Sequence, residues 1–198
     1  IDTATGTAYM QLNSFSRGFR LKNFFNNSFG YLKKENIENL IIDLRSNGGG
    51  DAGNSVALLR YTKDSPFVLA DSLYAIQRNS KYKKYIKQYW AYQLMMKLVT
   101  HKKKDGNYHF GYFERKVFKP NKRNHYNGNL YLLTGGNTFS AASIFAKKLK
   151  GQQNVTIIGE ETGGGAYGNS AWMIPQAVLP NTGIRFRLPQ FKMIMDAS

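Results

Sequence analysis

Residues 39–50 read NLIIDLRSNGGG: a short apolar run, Leu40 to Ile42 with Leu44, that passes through Arg45, Ser46 and Asn47 into three successive glycines. An apolar run of that length, bounded by turn formers, suits a strand buried on both faces, and such strands belong to parallel sheets covered by helices. The flanks extend the pattern. TAYMQL at 7–12 alternates enough for a strand, and Leu21, Phe24, Phe25, Phe29 and Leu32 recur at helical spacing between 20 and 35 as a core-facing stripe. A second helix is predicted from about Asn54 to Tyr61, and PFVLADSLYAIQ at 66–77 is expected to be the next strand. The order strand, helix, strand, helix, strand predicts parallel pairing with right-handed crossovers.

The alternation breaks between Lys81 and about Gly128. SKYKKYIKQYWAYQLMMKLVTHKKK brings Tyr82, Tyr85, Ile86, Tyr89, Gln93 and Met96 near one another on a helix with lysines at its ends, and YHFGYFERKVF is expected to be extended. We read about 80–128 as an inserted cap. Its interleaved Lys and Tyr could grip a polyanion, but an amphipathic helix laying aromatics on a core is the commoner cause. The rhythm then resumes with NLYLLT at 129–134 as a strand, Ser140 to Leu149 as a helix and NVTIIG at 154–159 as a strand. The tail segments AWMIPQAVLP, IRFRLP and FKMIM are expected to be antiparallel strands, with NTG as a turn after the first.

A chain of 198 residues with 13 Phe, 13 Tyr and 2 Trp can bury a sizeable core, and one domain is the default. It has no cysteine, which excludes disulfides and thiolate metal sites, and three scattered histidines without an HExxH pattern give no reason to expect a metal. No apolar run approaches the roughly 18 residues that cross a bilayer. The chain starts at Ile1 without Met and stops at FKMIMDAS, so we expect a fragment of a longer protein. Net charge is +16, concentrated between Lys81 and Lys122 and in KKLK at 147–150. That balance suits nucleic acid, an anionic membrane surface or acidic partners. With no nucleic-acid motif beside it, a solvated basic face is the simpler explanation, and no nucleic-acid partner is expected.

Three loops carry the chemistry. GGGDAG at 48–53 formally satisfies GxGxxG, follows a predicted strand, and has Asp71 about 20 residues on, as a dinucleotide fold would require. Against that reading, Arg45, Ser46 and Asn47 intervene where the first glycine should close the strand, and GGNTFSAAS and EETGGGAYG are left without a role. Alternatively all three loops rim one pocket, since loops after successive parallel strands gather at the carboxyl ends. One would offer backbone amides, another Ser140 at a helix start where an oxyanion is favoured, and the third a wall. Ser140 as a plain helix cap remains the competing explanation.

LIIDLRSNGGG at 40–50, YLLTGGNTFSAASIFAKKL at 131–149 and VTIIGEETGGGAYG at 155–168 resemble the three signature segments of the C-terminal processing (tail-specific) serine peptidases and their tricorn-core relatives. AYMQLNSFS at 8–16 is similar to the strand and loop that follow the PDZ domain there. The resemblance covers most of the chain, excluding the cap, and implies an α/β fold, a crotonase/ClpP-like core with a mainly parallel sheet and helices on its faces; to this the residue pattern adds the inserted basic helical cap. It makes 1–198 a single peptidase catalytic domain with a PDZ domain upstream, outside this chain. It puts the nucleophile on Ser140, the oxyanion hole on the amides of Ala141 and of Gly48 or Gly49, and substrate-binding contacts on Gly163, Gly164 and Gly165. No cofactor and no metal are implied; the partner is a peptide or protein substrate, and the location extracytoplasmic, in the periplasm or cell envelope.

The chain departs from the processing branch at Gly165, which stands where that branch keeps its lysine base. The loop is more like that of the tricorn and retinoid-binding-protein branch, whose tricorn-type enzymes take a histidine from before the PDZ domain and a glutamate from near the end of the catalytic region. His101, His109 and His125 match neither position, and Glu160 and Glu161 are expected to be loop or strand-end residues. The base is therefore expected outside these residues, leaving the isolated chain inactive. The alternative function is a non-catalytic peptide or apolar-ligand binding module of the same fold.

Overall fold

The structure is a computed structural model that describes Asp2 and residues 5–195. In chain order its elements begin with β1 (Thr7–Gln11), α1 (Leu21–Lys34), β2 (Asn39–Asp43), α2 (Ala52–Thr62) and β3 (Ser72–Ala75). They continue with α3 (Tyr89–Val99), β4 (His101–Lys102), β5 (Tyr108–His109), α4 (Gly111–Arg115) and β6 (Asn129–Thr134). Last come α5 (Ala141–Leu149), β7 (Val155–Gly159), β8 (Gly168–Ala171), β9 (Gln176–Val178), β10 (Arg185–Arg187) and β11 (Phe191–Ile194). These fall into two compact units, residues 1–67 with 117–166, and residues 68–116 with 167–198.

The first unit is the α/β core. Its sheet has the order β1-β2-β6-β7, and every pairing is parallel: Ile42 faces Met10 on one side and Leu132 on the other, and Leu132 faces Ile157. Strands β2 and β6 are central, and Leu40, Ile42, Leu130 and Leu132 are at most 1% exposed. Each such side chain contributes on the order of 1.5–3 kcal/mol by leaving water, which explains the apolar runs NLIID and NLYLL. α1 buries Leu21, Phe25, Phe29 and Leu32, the stripe expected from its 3.6-residue period. Phe29 stacks on Tyr61 of α2 at 4.7 Å. α2 packs on α5, whose small residues Ala141, Ala142 and Ser143 are all buried and allow the close approach. β1 and β7 are the edge strands, and Ile157 and Ile158 of β7 are exposed.

The second unit departs from the expected alternation. The strand expected at 66–77 shortens to Ser72–Ala75 and takes no place in the parallel sheet; it pairs antiparallel with β11 and β5 in a five-stranded sheet of order β4-β5-β3-β11-β8. Its burial alternates, with Leu73 and Ala75 inside and Ser72 and Tyr74 half-buried, which is the pattern of a sheet covered on one face. YHFGYFERKVF is not extended throughout: Gly111–Arg115 forms α4, turning Phe113 inward against Phe110 at 5.7 Å. The tail is antiparallel as expected, β9 against β10 and β11 against β8, with Gly183 supplying the positive φ (68°) in the turn before β10. In α3, Tyr92 and Met96 are the buried residues.

Candidate active site

The carboxyl ends of the four parallel strands open into four loops, 12–16, 44–50, 135–140 and 160–166, all within the first unit. Backbone bonds tie them together. Phe15 N–H donates to Gly49 O at 2.8 Å, Phe139 N–H to Asn47 O at 3.0 Å, and Gly164 N–H to Thr138 O at 3.2 Å. Two buried polar side chains reinforce these ties. Asn47, wholly buried, donates from Nδ2 to Leu12 O at 2.7 Å and accepts the Gly49 N–H on Oδ1 at 2.9 Å. Thr138, equally buried, donates from Oγ1 to Leu44 O at 2.8 Å and accepts the Gly135 N–H at 3.1 Å, while its carbonyl accepts the Ser143 hydroxyl at 2.9 Å. A polar group buried without partners would cost about 1–3 kcal/mol, so these side chains lock the loops into one arrangement.

Ser140 sits at the end of the third loop with φ 52° and ψ −118°, a backbone conformation that non-glycine residues rarely adopt. Its carbonyl accepts the Ile144 N–H at 3.0 Å and so starts α5, but its side chain makes no capping bond. The hydroxyl of Ser140 is therefore not used as a helix cap. Ala141 opens the helix, and its N–H, one of the unpaired donors of a helix first turn, has no acceptor among the described residues.

The glycines have steric reasons to be glycine. Gly49, at φ 96°, touches the serine turn: a Cβ there would lie 2.7 Å from Ser140 Cβ, 2.7 Å from Phe139 O and 3.1 Å from the Ala141 nitrogen. A Cβ on Gly163 would overlap Gly136 O and the Phe139 ring, and one on Gly164 the Ser143 hydroxyl. Gly48 is exposed, with open space at its Cβ position, and Gly165 is exposed too. The structure thus brings Gly49, Ser140, Ala141 and Gly164 into contact, the last lying with its Cβ position 3.2 Å from the Ser140 nitrogen.

An open cavity of about 600 Å³ lies over the strand ends, lined among others by Asp43, Arg45, Gly136, Asn137 and Glu160. Asp43 is held there by Arg45, through Nη2 at 2.7 Å and Nε at 3.0 Å, and by the Tyr9 hydroxyl at 2.6 Å. The Arg45 guanidinium keeps the Asp43 carboxyl well below the usual carboxylate range against the opposing effect of burial, and the Tyr9 hydroxyl adds to the lowering. A carboxylate so firmly ionised and so fully bonded is a poor proton acceptor. A second cavity of about 380 Å³ runs behind the serine turn, past Ser143, Lys147, Glu160 and Thr162.

The remaining titratable candidates are engaged elsewhere. His125 Nε2 meets Asp64 at 3.2 Å. In the second unit His109 is buried between Glu114 at 2.7 Å and Asp105 at 2.9 Å, and His101 lies exposed on β4. Among the described residues no basic or acidic side chain is hydrogen-bonded to the Ser140 hydroxyl. Asn47 and Thr138 were not singled out by sequence reasoning; the available signal was a polar residue capable of side-chain turns placed directly at each loop next to glycines.

A parallel sheet flanked by helices, with glycine-rich loops gathered at the carboxyl ends of its strands, is an α/β fold of the ClpP-like class. The sequence matches peptidase family S41 over residues 6–196, and the chain belongs to that family. No curated protein matches the chain by sequence. Among solved structures it is similar to mature CPAF complexed with lactacystin, at 19% identity and TM-score 0.67, covering 96% of this chain and 44% of that one. It is similar to the photosystem II D1 C-terminal processing protease, at 20% identity and TM-score 0.56, covering 96% and 38%. A lipoprotein from Streptococcus agalactiae follows at 16% identity and TM-score 0.52, covering 93% and 54%. The chain thus spans about half the length of these structures, or less, and at such identities the likeness is one of fold. Among the described residues no helix is long and apolar enough to cross a membrane.

Proposed function

We propose that the chain is the catalytic core of a serine endopeptidase in which Ser140 is the nucleophile. The observation that carries the reading is the conformation of Ser140: a strained φ at the mouth of a helix, with a hydroxyl not used in capping and with Gly49 and the Ala141 nitrogen against it. Strain of that kind, about 1–3 kcal/mol, persists where surrounding bonds over-determine it, and it concentrates at sites that do chemistry.

In the proposed reaction the Ser140 oxygen attacks the carbonyl carbon of a peptide bond. Its proton passes to a general base and from there to the departing amine as the C–N bond breaks, leaving an ester on Ser140. A water molecule then attacks the ester, releasing the carboxylic acid and restoring the hydroxyl. The negative charge that forms on the carbonyl oxygen in each step is met by the Ala141 N–H and by an N–H of the Gly48–Gly49 pair. Gly49 lies closer to the serine, but its N–H is shared with Asn47 Oδ1; Gly48 N–H has no acceptor among the described residues. Gly163, Gly164 and Gly165 form a wall along which an extended peptide can lie without side-chain obstruction.

The base is proposed to come from a segment outside these 198 residues, since Gly165 replaces the lysine of the processing branch and the hydroxyl of Ser140 has no basic partner among the described side chains. A PDZ domain upstream and an extracytoplasmic location, in the periplasm or cell envelope, belong to the same proposal. The test is cleavage of an unfolded protein substrate by the longer protein and by its Ser140→Ala variant. Loss of cleavage with an unchanged melting temperature supports the reading; persistent cleavage overturns it, and a protein that holds peptides without cleaving them is then a binding module of this fold. Robust turnover by the 198-residue chain alone would overturn the external base.

A further inference from the structure

We propose that the outward face of α3 is a docking surface for a bilayer rich in anionic phospholipid. α3 turns Tyr92 and Met96 inward, at 8% and 0% exposure, and presents Trp90, Leu94, Met95 and Leu98 outward at 72%, 52%, 45% and 76%. Trp90, Leu94 and Leu98 follow one another at four-residue intervals, so they form one stripe along the helix, and Met95 widens it. An apolar stripe opposite the buried face is not explained by packing within the unit, because that packing is already supplied by the other side.

Charge identifies the occupant. From Ser72 to Lys104 the chain carries one Arg and eight Lys and no Asp or Glu. Lys81, Lys83, Lys84 and Lys87 precede the helix, Lys97 lies on it, and Lys102, Lys103 and Lys104 follow it, all exposed. Lys103 is paired with Glu114, and Lys84 and Lys102 lie over the rings of Tyr85 and Tyr108, which leaves their charge in place. A second copy on this face would bring two such clusters together, and like charges disfavour it. Nucleic acid would reward the lysines but would leave Leu94, Met95 and Leu98 without an apolar partner. An anionic bilayer meets both needs: phosphate groups face the lysines, Trp90 sits at headgroup level, and the leucines and Met95 reach the acyl boundary.

The experiment is co-sedimentation of the protein with vesicles of phosphatidylcholine alone and of phosphatidylcholine mixed with phosphatidylglycerol, with tryptophan emission recorded in parallel. Expected are binding to the mixed vesicles, weakened by salt, with a blue shift that Trp90→Phe removes, and at least about a tenfold loss of binding in the Leu94→Gln/Leu98→Gln variant, whose charge is unchanged. These residues are exposed, so the variant should keep its circular dichroism spectrum; the emission readout of Trp90→Phe serves as a second, milder probe. Absence of binding to the mixed vesicles overturns the proposal. Undiminished binding by the Leu94→Gln/Leu98→Gln variant also overturns it, as does a nucleic-acid affinity that exceeds and displaces vesicle binding.

Discussion

Gly49 and Ser140 are in contact, and no side chain fits between them: a Cβ on Gly49 would lie 2.7 Å from the Cβ of Ser140. The two residues are far apart in sequence, at the ends of β2 and β6, and the parallel pairing of those strands is what brings their loops together. Gly49→Ala therefore has nowhere to place its methyl group, and its φ of 96° adds strain. The expected outcome is destabilisation of at least about 1–3 kcal/mol, measured by chemical unfolding, together with loss of the fluorophosphonate labelling that the proposed role of Ser140 entails. A variant as stable and as reactive as the parent would show that the loops do not meet in this way.

Ser140→Gly should be more stable than the parent. Glycine adopts φ 52°, ψ −118° freely, so relief of the strain exceeds the entropic cost of a more flexible unfolded chain. A net gain of about 1 kcal/mol raises the melting temperature by about 2–4 °C in a chain of this size. Calorimetry of Ser140→Gly beside Ser140→Ala checks it, the alanine variant keeping the strain.

Asn47→Ala would strip the Leu12 carbonyl and the Gly49 N–H of their partners in a wholly buried place. The expected loss is about 2–4 kcal/mol, two unsatisfied groups offset in part by relaxation. Asn47→Asp keeps an acceptor for Gly49 but cannot donate to Leu12 O, so it should also be destabilised. Urea titrations of the two variants against the parent decide the point.

Asp43 gives the fold an acid-sensitive bond. Arg45, and after it the Tyr9 hydroxyl, hold its carboxyl below the ordinary value. The stabilisation is thus complete above the unfolded value of about 3.9 and is lost as the pH falls through the folded value. Asp43→Asn has no such charge to lose. The stability gap between parent and variant should be constant from neutral pH down to about 4 and should shrink below it, followed by urea unfolding across pH; a gap that does not change would refute the assignment.

Much of the core was readable from residue patterns. Leu40 to Ile42 and Leu130 to Leu133 announce buried parallel strands because such strands are apolar on both faces, and α1 shows its 3.6-residue stripe. β3 was misplaced because a short strand does not state its partner: SLYA pairs with FKMI at the far end of the chain, and the alternation that marks a one-faced sheet is only two residues deep. α4 was hidden in an aromatic run whose local preference is for extended chain. For the site, glycines and Ser140 stand out in sequence, whereas the work of Asn47 and Thr138 depends on carbonyls of Leu12 and Leu44 that only the folded chain brings within reach.

The steric origin of the glycines bears on how such sequences are sorted. Gly163 and Gly164 are pressed against Gly136 and Ser143, and Gly49 against the serine turn, whatever atom ends the side chain at position 140. A descendant that exchanged its hydroxyl for a methyl group would still need every one of them in order to fold. Glycine signatures of this kind therefore trace ancestry of shape, and a census of working peptidases has to be taken at the serine and at the group that accepts its proton.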